Sequence, residues 1–313
     1  MMAIAAAGAL GLAVGPGYRQ AVEGEPPSAP GEGLAGYEGS DLCGACHPAQ
    51  HESWETSLHA RTVREPGERE GEVLGQSLLC SDYEAKYVLG KKHAWRFMVD
   101  SRLEDGMHVL LPCRYEVATA ELVHLHETDW QQLVWERGCG ACHTTGFSSD
   151  DLTYKETGVG CESCHGPARR HGDYQAAGSM ISFAGVPAAK ESWICSSCHL
   201  QGGRSRRTGL NFAYNYEAGE DLYADYVFDW ESLDGVADDV EDPIDIHQKL
   251  LARRLAEGEP AAGGLRCTSC HTIHPGGHAR HEALPRQDYC HLCHTRGDFS
   301  VKEYNQACNV CEF

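Results

Sequence analysis

Apolar residues are distributed along this chain in short runs separated by turn-forming residues. Met1 to Val14 is a stretch of small apolar residues closed by Gly15-Pro16-Gly17. A helix needs about 20 such residues to span a hydrocarbon core of ~30 Å, so the stretch predicts a secretory h-region within a signal peptide of residues 1–21. It departs from the usual pattern in that no Lys or Arg precedes it. Residues 22–39, rich in Gly, Pro, Ser and Glu, predict a flexible leader. From His47 to Thr62 the pattern is helical, with Trp54 available for packing.

The pattern then changes. Tyr87-Val88-Leu89, Trp95 to Val99 and Met107 to Leu111 are short apolar runs parted by Gly90-Lys91-Lys92 and Glu104-Asp105-Gly106, which predicts a small β unit over about 83–117. Cys80 and Cys113 flank it, and in an oxidising compartment they are expected to pair as a disulfide closing that unit (80–117), with two free thiols as the alternative.

Composition narrows the partners. With 313 residues, 26 Lys+Arg against 46 Asp+Glu and a net charge of −20, the chain has nothing to release counterions from a phosphate backbone or to dock on an anionic membrane. A nucleic-acid partner is therefore not expected, nor is a membrane span after the h-region. Mean hydropathy is −0.43 with 35 Gly, so a large aliphatic core is not available. The 16 Cys and 18 His point to what replaces it.

The pentapeptide Cys-x-x-Cys-His is the c-type haem attachment signature, and chance predicts ~0.05 copies in a chain of this composition. Six are present: Cys43–Cys46–His47, Cys139–Cys142–His143, Cys161–Cys164–His165, Cys195–Cys198–His199, Cys267–Cys270–His271 and Cys290–Cys293–His294. Zinc sites and redox Cys-x-x-Cys pairs do not call for a His after each second Cys. We number these motifs 1 to 6. Each Cys pair is expected to form thioethers to a haem c, six in all, and each motif His to ligate the iron from the proximal side. Starts separated by 22 residues (Cys139 to Cys161) and 23 residues (Cys267 to Cys290) force neighbouring haems. Covalent haem attachment takes place outside the cytoplasmic membrane in bacteria and archaea, which gives a periplasmic or extracellular location.

Twelve His and, beyond the leader, only Met98, Met107 and Met180 remain for the distal positions, so supply favours bis-His irons at low potential. His59, His93, His171, His247 and His274 are the best placed. The sixth position falls to His124, His126, His278 or His281, or stays vacant. His51, one helical turn after His47, cannot reach the far face of the same haem, and His291 lies inside its own motif. Two charged segments stand apart. Glu217 to Asp245 holds 12 acidic residues and no Lys or Arg; its Asp238-Asp239-Val240-Glu241-Asp242 cluster offers oxygen ligands to Ca²⁺, though a solvated acidic loop is the simpler reading. Arg204-Ser205-Arg206-Arg207 is expected to pair with haem propionates.

Several of these stretches resemble the multihaem c-type cytochromes related to the small tetrahaem carrier of nitrifying bacteria. Cys43-Gly-Ala-Cys46-His47, followed by Trp54 and Ser57-Leu58-His59-Ala60, is similar to that family's opening pattern, and the resemblance implies a distal ligand at His59. Gly160 to Pro167 with His171 is a second match and implies the same for His171. Tyr87 to His93 resembles a glycine-turn-His element of longer members, and Cys267 to His274 the paired His after a motif. The chain departs from the family in having six motifs, and in Cys308-Asn309-Val310-Cys311, which is followed by Glu312 rather than His.

The expected fold is mainly α and loop-rich, a multihaem cytochrome c domain over residues 40–313 organised around stacked haems, with the β unit inserted. The expected role is electron transfer to or from other redox proteins, with self-assembly into an extracellular filament as a variant. The alternative is a multihaem oxidoreductase with one open iron acting on a small nitrogen or sulfur compound; no Cys-x-x-Cys-Lys motif is present to mark such an iron.

Overall fold

The computed structural model describes residues 36–76, 80–90, 94–126, 128–174, 178–233, 252–257 and 266–271, with positions 249, 273 and 274. Residues 1–21, most of the 22–39 leader, the cluster 238–242, His93, His247, His278, His281, His291, motif 6 (Cys290, Cys293 and His294) and the pair Cys308 and Cys311 lie outside the described residues.

The largest element is an antiparallel meander in the order β1 (Val63–Arg64), β2 (Tyr87–Leu89), β3 (Ala94–Asp100), β4 (His108–Glu116) and β5 (Glu121–His124). It reaches beyond the expected 83–117 at both ends. β1 is two residues long and β5 is mostly exposed, so neither shows the apolar alternation that marks a strand in sequence. β4 alternates strictly. Val109, Leu111, Cys113 and Tyr115 point into one core with Trp95, Phe97 and Val99 of β3 and with Val73 and Leu74 of α3 (Glu68–Gly75). The Cys80–Cys113 disulfide expected from the sequence is formed inside this core. Each such large side chain, fully buried, contributes about 1.5–3 kcal/mol.

The pairing of β3 with β4 slips between Arg96 and Met98, while the alternation along β3 continues and sets Met98 on the face opposite Phe97. Met98 packs with Val63 and Trp135 on the opposite face, against Leu110, Cys139 and Tyr154. The sheet is therefore covered on both faces, and its second cover is the chain entering motif 2.

The rest of the described residues form short helices joined by loops. They are α1 (Ser40–Cys46), α2 (Pro48–Glu55), α4 (Ala141–His143) after a π-helical turn over Glu136–Gly140, α5 (Glu162–His165), α6 (Arg169–Tyr174), α7 (Ala188–His199) and α8 (Cys267–Cys270). Two-residue ribbons β6 (Thr144–Thr145) with β7 (Glu156–Thr157), and β8 (Arg204–Ser205) with β9 (Tyr226–Val227), tie the loops. A third core, Trp193, Leu200, Ala213, Leu222, Tyr226 and Ala252, gathers around α7. Among the described residues no helix is long and apolar enough to cross a membrane. The described helices are mostly one or two turns, and the mixed composition is that of a scaffold for something other than its own side chains.

Candidate haem-binding site

Motifs 1 to 5 all lie on helical turns: at the end of α1, across the π-turn into α4, along α5, at the end of α7 and along α8. Positions i, i+3 and i+4 of a helix share a face. The spacing therefore presents two sulfurs and one imidazole to the same flat ligand.

The fold brings the motifs together through their cysteines. Cys43 lies beside Cys161, Cys142 beside Cys198 and Cys195 beside Cys267. Motif 1 thus adjoins motif 3, and motif 4 adjoins both 2 and 5. A cleft lined by Tyr37, Cys142, Glu162, Ser163, Cys198 and Tyr216 opens where motifs 2, 3 and 4 converge.

Three of the histidines expected on distal sides stand opposite motif histidines. His171 on α6 stacks against His47 of motif 1 with ring centres 6.5 Å apart and planes at 23°. His274 stacks against His165 of motif 3 at 6.3 Å and 20°. His59 meets His199 of motif 4 at 6.1 Å and 75°. An imidazole nitrogen ~2 Å from a metal puts the ring centre ~3 Å from it, so two rings on opposite sides of one metal are ~6 Å apart. The observed separations match that distance in all three pairs. The residues fit a haem iron held between two imidazoles.

Hydrogen bonds on the other ring nitrogen orient these ligands. Nδ1 of His165 lies 2.7 Å from the Ile181 carbonyl. A carbonyl only accepts, so Nδ1 carries the proton and Nε2 presents its lone pair. Nδ1 of His143 lies 2.7 Å from Thr62 Oγ1, and Nδ1 of His171 lies 3.2 Å from Ser179 Oγ. Burial pushes the imidazoles of His59, His143, His199, His271 and His274 toward the neutral form. For His59 the neighbouring His271 adds to the effect, for His199 both His59 and His271, and for His274 His165. The neutral imidazole is the form that binds iron.

Three buried carboxylates, which motif reading alone passes over, lock the motifs in place. Glu162, inside motif 3 and fully buried, accepts from the backbone N–H of Gly39 (2.7 Å), Glu38 (3.0 Å) and Ala168 (2.7 Å), and so pins the start of α1 to α5. Beside it, Glu156 accepts from Ser40 Oγ at 2.7 Å, and Ser40 Oγ accepts from the Cys161 N–H at 3.0 Å. Glu191, four residues before Cys195, accepts from Thr268 N–H and Oγ1 at 2.8 and 2.9 Å and faces Arg266 at 3.5 Å, joining motif 4 to motif 5. Glu136, three residues before Cys139, holds the His108 N–H at 3.1 Å and Nδ1 at 2.6 Å, fastening motif 2 to β4. Their signal in the sequence is a Glu within four residues of a motif's first Cys.

The Arg204–Arg207 run serves its own loop: Arg204 donates to the Gly209 carbonyl at 3.2 Å, and Arg207 lies 3.7 Å over the Tyr214 ring. His51 sits between Asp41 (3.6 Å) and Glu55 (3.8 Å). His124 is paired in the sheet opposite Cys113, with Nδ1 3.7 Å from its sulfur, and His126 is exposed.

Helical Cys-x-x-Cys-His turns, with paired imidazoles across three of them, define a multihaem c-type cytochrome, and comparison with known proteins agrees. The family described as cytochrome c554 and c-prime matches residues 42–86 and 114–166. The resemblance to multihaem cytochromes related to cytochrome c-554 is thereby shown, and with it covalently bound haem c. The unmatched stretch 87–113 is β2, β3 and most of β4. Cytochrome c-554 of Nitrosomonas europaea is 25% identical over 244 residues, covering 72% of this chain and 81% of that protein. A stretch of 30 residues is 60% identical to the dissimilatory sulfite reductase MccA of Wolinella succinogenes, 10% of this chain and 4% of that enzyme. The crystal structure of the outer cell wall cytochrome OcwA shares the fold, with a TM-score of 0.60 at 18% identity over 84% of this chain and 68% of that one.

Proposed function

We propose that this protein carries electrons between redox partners outside the cytoplasmic membrane through six covalently attached haems, one at each Cys-x-x-Cys-His motif. The observation that carries this reading is the set of three imidazole pairs at axial spacing, His47 with His171, His165 with His274 and His199 with His59. When bound, such haems supply one-electron chemistry at irons closed on both faces. The chain's own residues aim the imidazoles, through Ile181, Thr62 and Ser179, and keep the motifs adjacent, through Glu162, Glu191 and Glu136.

His93 is the proposed distal partner of His143. In support, Thr62 bonds His143 through its hydroxyl and accepts from the Gly90 N–H through its carbonyl at 3.2 Å, so Gly90, three residues before His93 in the chain, stands beside motif 2. His247 is proposed for one of the two C-terminal motifs. The cysteine contacts support an order in which motif 3 adjoins motif 1 and motif 4 adjoins motifs 2 and 5. The h-region, the disulfide and thioether chemistry itself support export into an oxidising compartment.

A pyridine haemochrome count with reduced spectra before and after carbon monoxide tests the reading. Six haems and an unchanged spectrum are expected. A carbon monoxide shift in one haem would sink the closed-iron reading and favour an oxidoreductase with an open iron.

A further inference from the structure

Among the described residues, one cluster brings three metal-type donors within reach of a single ion, and it lies outside every haem motif. The sulfurs of Cys80 and Cys113 and a ring nitrogen of His124 lie within 4.8 Å of one another. The two cysteines are 33 residues apart in the chain, and His124 arrives from β5 by strand pairing, directly opposite Cys113. Cross-strand partners share a face of the sheet, and the imidazole Nδ1 stands 3.7 Å from Cys113 Sγ. An ion of zinc type holds sulfur at about 2.3 Å and nitrogen at about 2.0–2.1 Å in a tetrahedron, which sets a sulfur-to-nitrogen edge of ~3.6 Å and a sulfur-to-sulfur edge of ~3.8 Å. The His124 contact already has the first spacing. The second is missing because the sulfurs are bonded to each other. The Cα atoms of the two cysteines are 6.8 Å apart, at the wide end of what a disulfide bridges, so side-chain rotation is enough to part the sulfurs once that bond is cut.

Charge and access favour the same occupant. Both cysteines are fully buried in the apolar core of the sheet. Two thiolates there would be costly without a counter-charge, and a divalent cation cancels them. His124 is exposed, and β5 is the last strand of the sheet, paired with β4 alone. The route from solvent to the sulfurs therefore runs past the imidazole and a four-residue edge strand, which opens at lower cost than the core.

We propose that Cys80, Cys113 and His124 form a redox-gated site for one zinc-class divalent cation, closed while the disulfide stands and open once a dithiol has reduced it. The dithiol gives two electrons and two protons to the sulfurs, the Cys80–Cys113 bond breaks, and the dithiol leaves as its own disulfide. The cation then takes both thiolates and the imidazole, the two protons pass to solvent, and water fills the fourth position. The ion thereby joins β4, β5 and the chain at Cys80 in place of the lost bond.

The test uses the full haem-loaded protein carrying C308S and C311S, so that Cys80 and Cys113 are the cysteines left outside the haem motifs. Reduction with dithiothreitol under argon, desalting and equilibrium dialysis against zinc are followed by metal analysis and zinc-edge X-ray absorption. One zinc per reduced protein above the level of the oxidised protein is expected, with two sulfurs at about 2.3 Å and an imidazole nitrogen at about 2.0–2.1 Å. H124A is expected to bind at least about tenfold more weakly, since even an outer-shell partner is worth that much, and to lose the imidazole signal. C80S/C113S is expected to bind none; if it fails to fold, H124A, which keeps the disulfide, carries the test. Equal zinc in the oxidised and reduced proteins overturns the proposal, as does an unchanged affinity in H124A. So does a bond that dithiothreitol leaves intact in the folded protein, scored by the absence of alkylated Cys80 and Cys113 in peptide mapping.

Discussion

Glu162→Ala probes the junction that holds motif 1 against motif 3. The carboxylate is fully buried and receives N–H groups from Glu38, Gly39 and Ala168 at 2.7–3.1 Å. Hydrogen bonds to a charged acceptor are worth roughly 1.5–3 kcal/mol each, and they do not add when they share one acceptor. Removing the carboxylate orphans three donors in a dry site, and a loss of about 3–5 kcal/mol is expected. At about 2–4 °C per kcal/mol for a domain of this size, the melting temperature falls by roughly 10 °C. Glu162→Gln keeps one acceptor oxygen but turns an amide N–H toward a backbone N–H, so it should lose an intermediate amount. The assay is denaturant and thermal unfolding of the haem-loaded protein, followed by tryptophan fluorescence and by the Soret band. The Soret signal should respond early, because the network joins motif 1 to motif 3. A change below about 1 kcal/mol in Glu162→Ala would refute the claim that this carboxylate holds α1 to α5.

Other outcomes follow from the same geometry. His171→Ala should convert one haem to a high-spin, carbon monoxide-binding form, readable by absorption and electron paramagnetic resonance, and His59→Ala should do the same to a different haem. Six low-spin haems in either variant would show that the pairing is wrong. Replacing Cys80 and Cys113 by Ser removes a closure over 33 residues and should cost about 3–4 kcal/mol in denaturant titration. Glu191→Ala should release α8 from α7 and slow electron passage between motifs 4 and 5 in stopped-flow reduction, with haem content retained. Electron exchange with a basic redox protein should slow as salt rises, because the surface carries the −20 net charge.

The sequence reading and the structure divide along physical lines. β2, β3 and β4 were legible because each buries alternate apolar residues against one core, and the disulfide because two cysteines outside any motif flank that unit. β1 and β5 were not legible: one is a two-residue pairing with β2, the other an exposed edge, and both owe their existence to a neighbour rather than to their own pattern. Two arginines of the Arg204–Arg207 run contact their own loop, Arg204 the Gly209 carbonyl and Arg207 the Tyr214 ring, contacts that charge in the sequence does not announce.

What the sequence by itself determined is the chemistry. A Cys-x-x-Cys-His turn is a local object, complete within five residues, so six copies announce covalent haem without any knowledge of the fold. The supply of His likewise sets the expectation for the axial ligands. Which imidazole faces which is a different matter: His171 opposite His47, His59 opposite His199 and His274 opposite His165 are separated by 109 to 140 residues along the chain. Only the tertiary structure decides such pairs. The same holds for Glu136, Glu162 and Glu191, unremarkable as acidic residues until burial makes each an acceptor for backbone groups distant in the chain. Local spacing writes the ligand; long-range packing against buried charge decides where it stands.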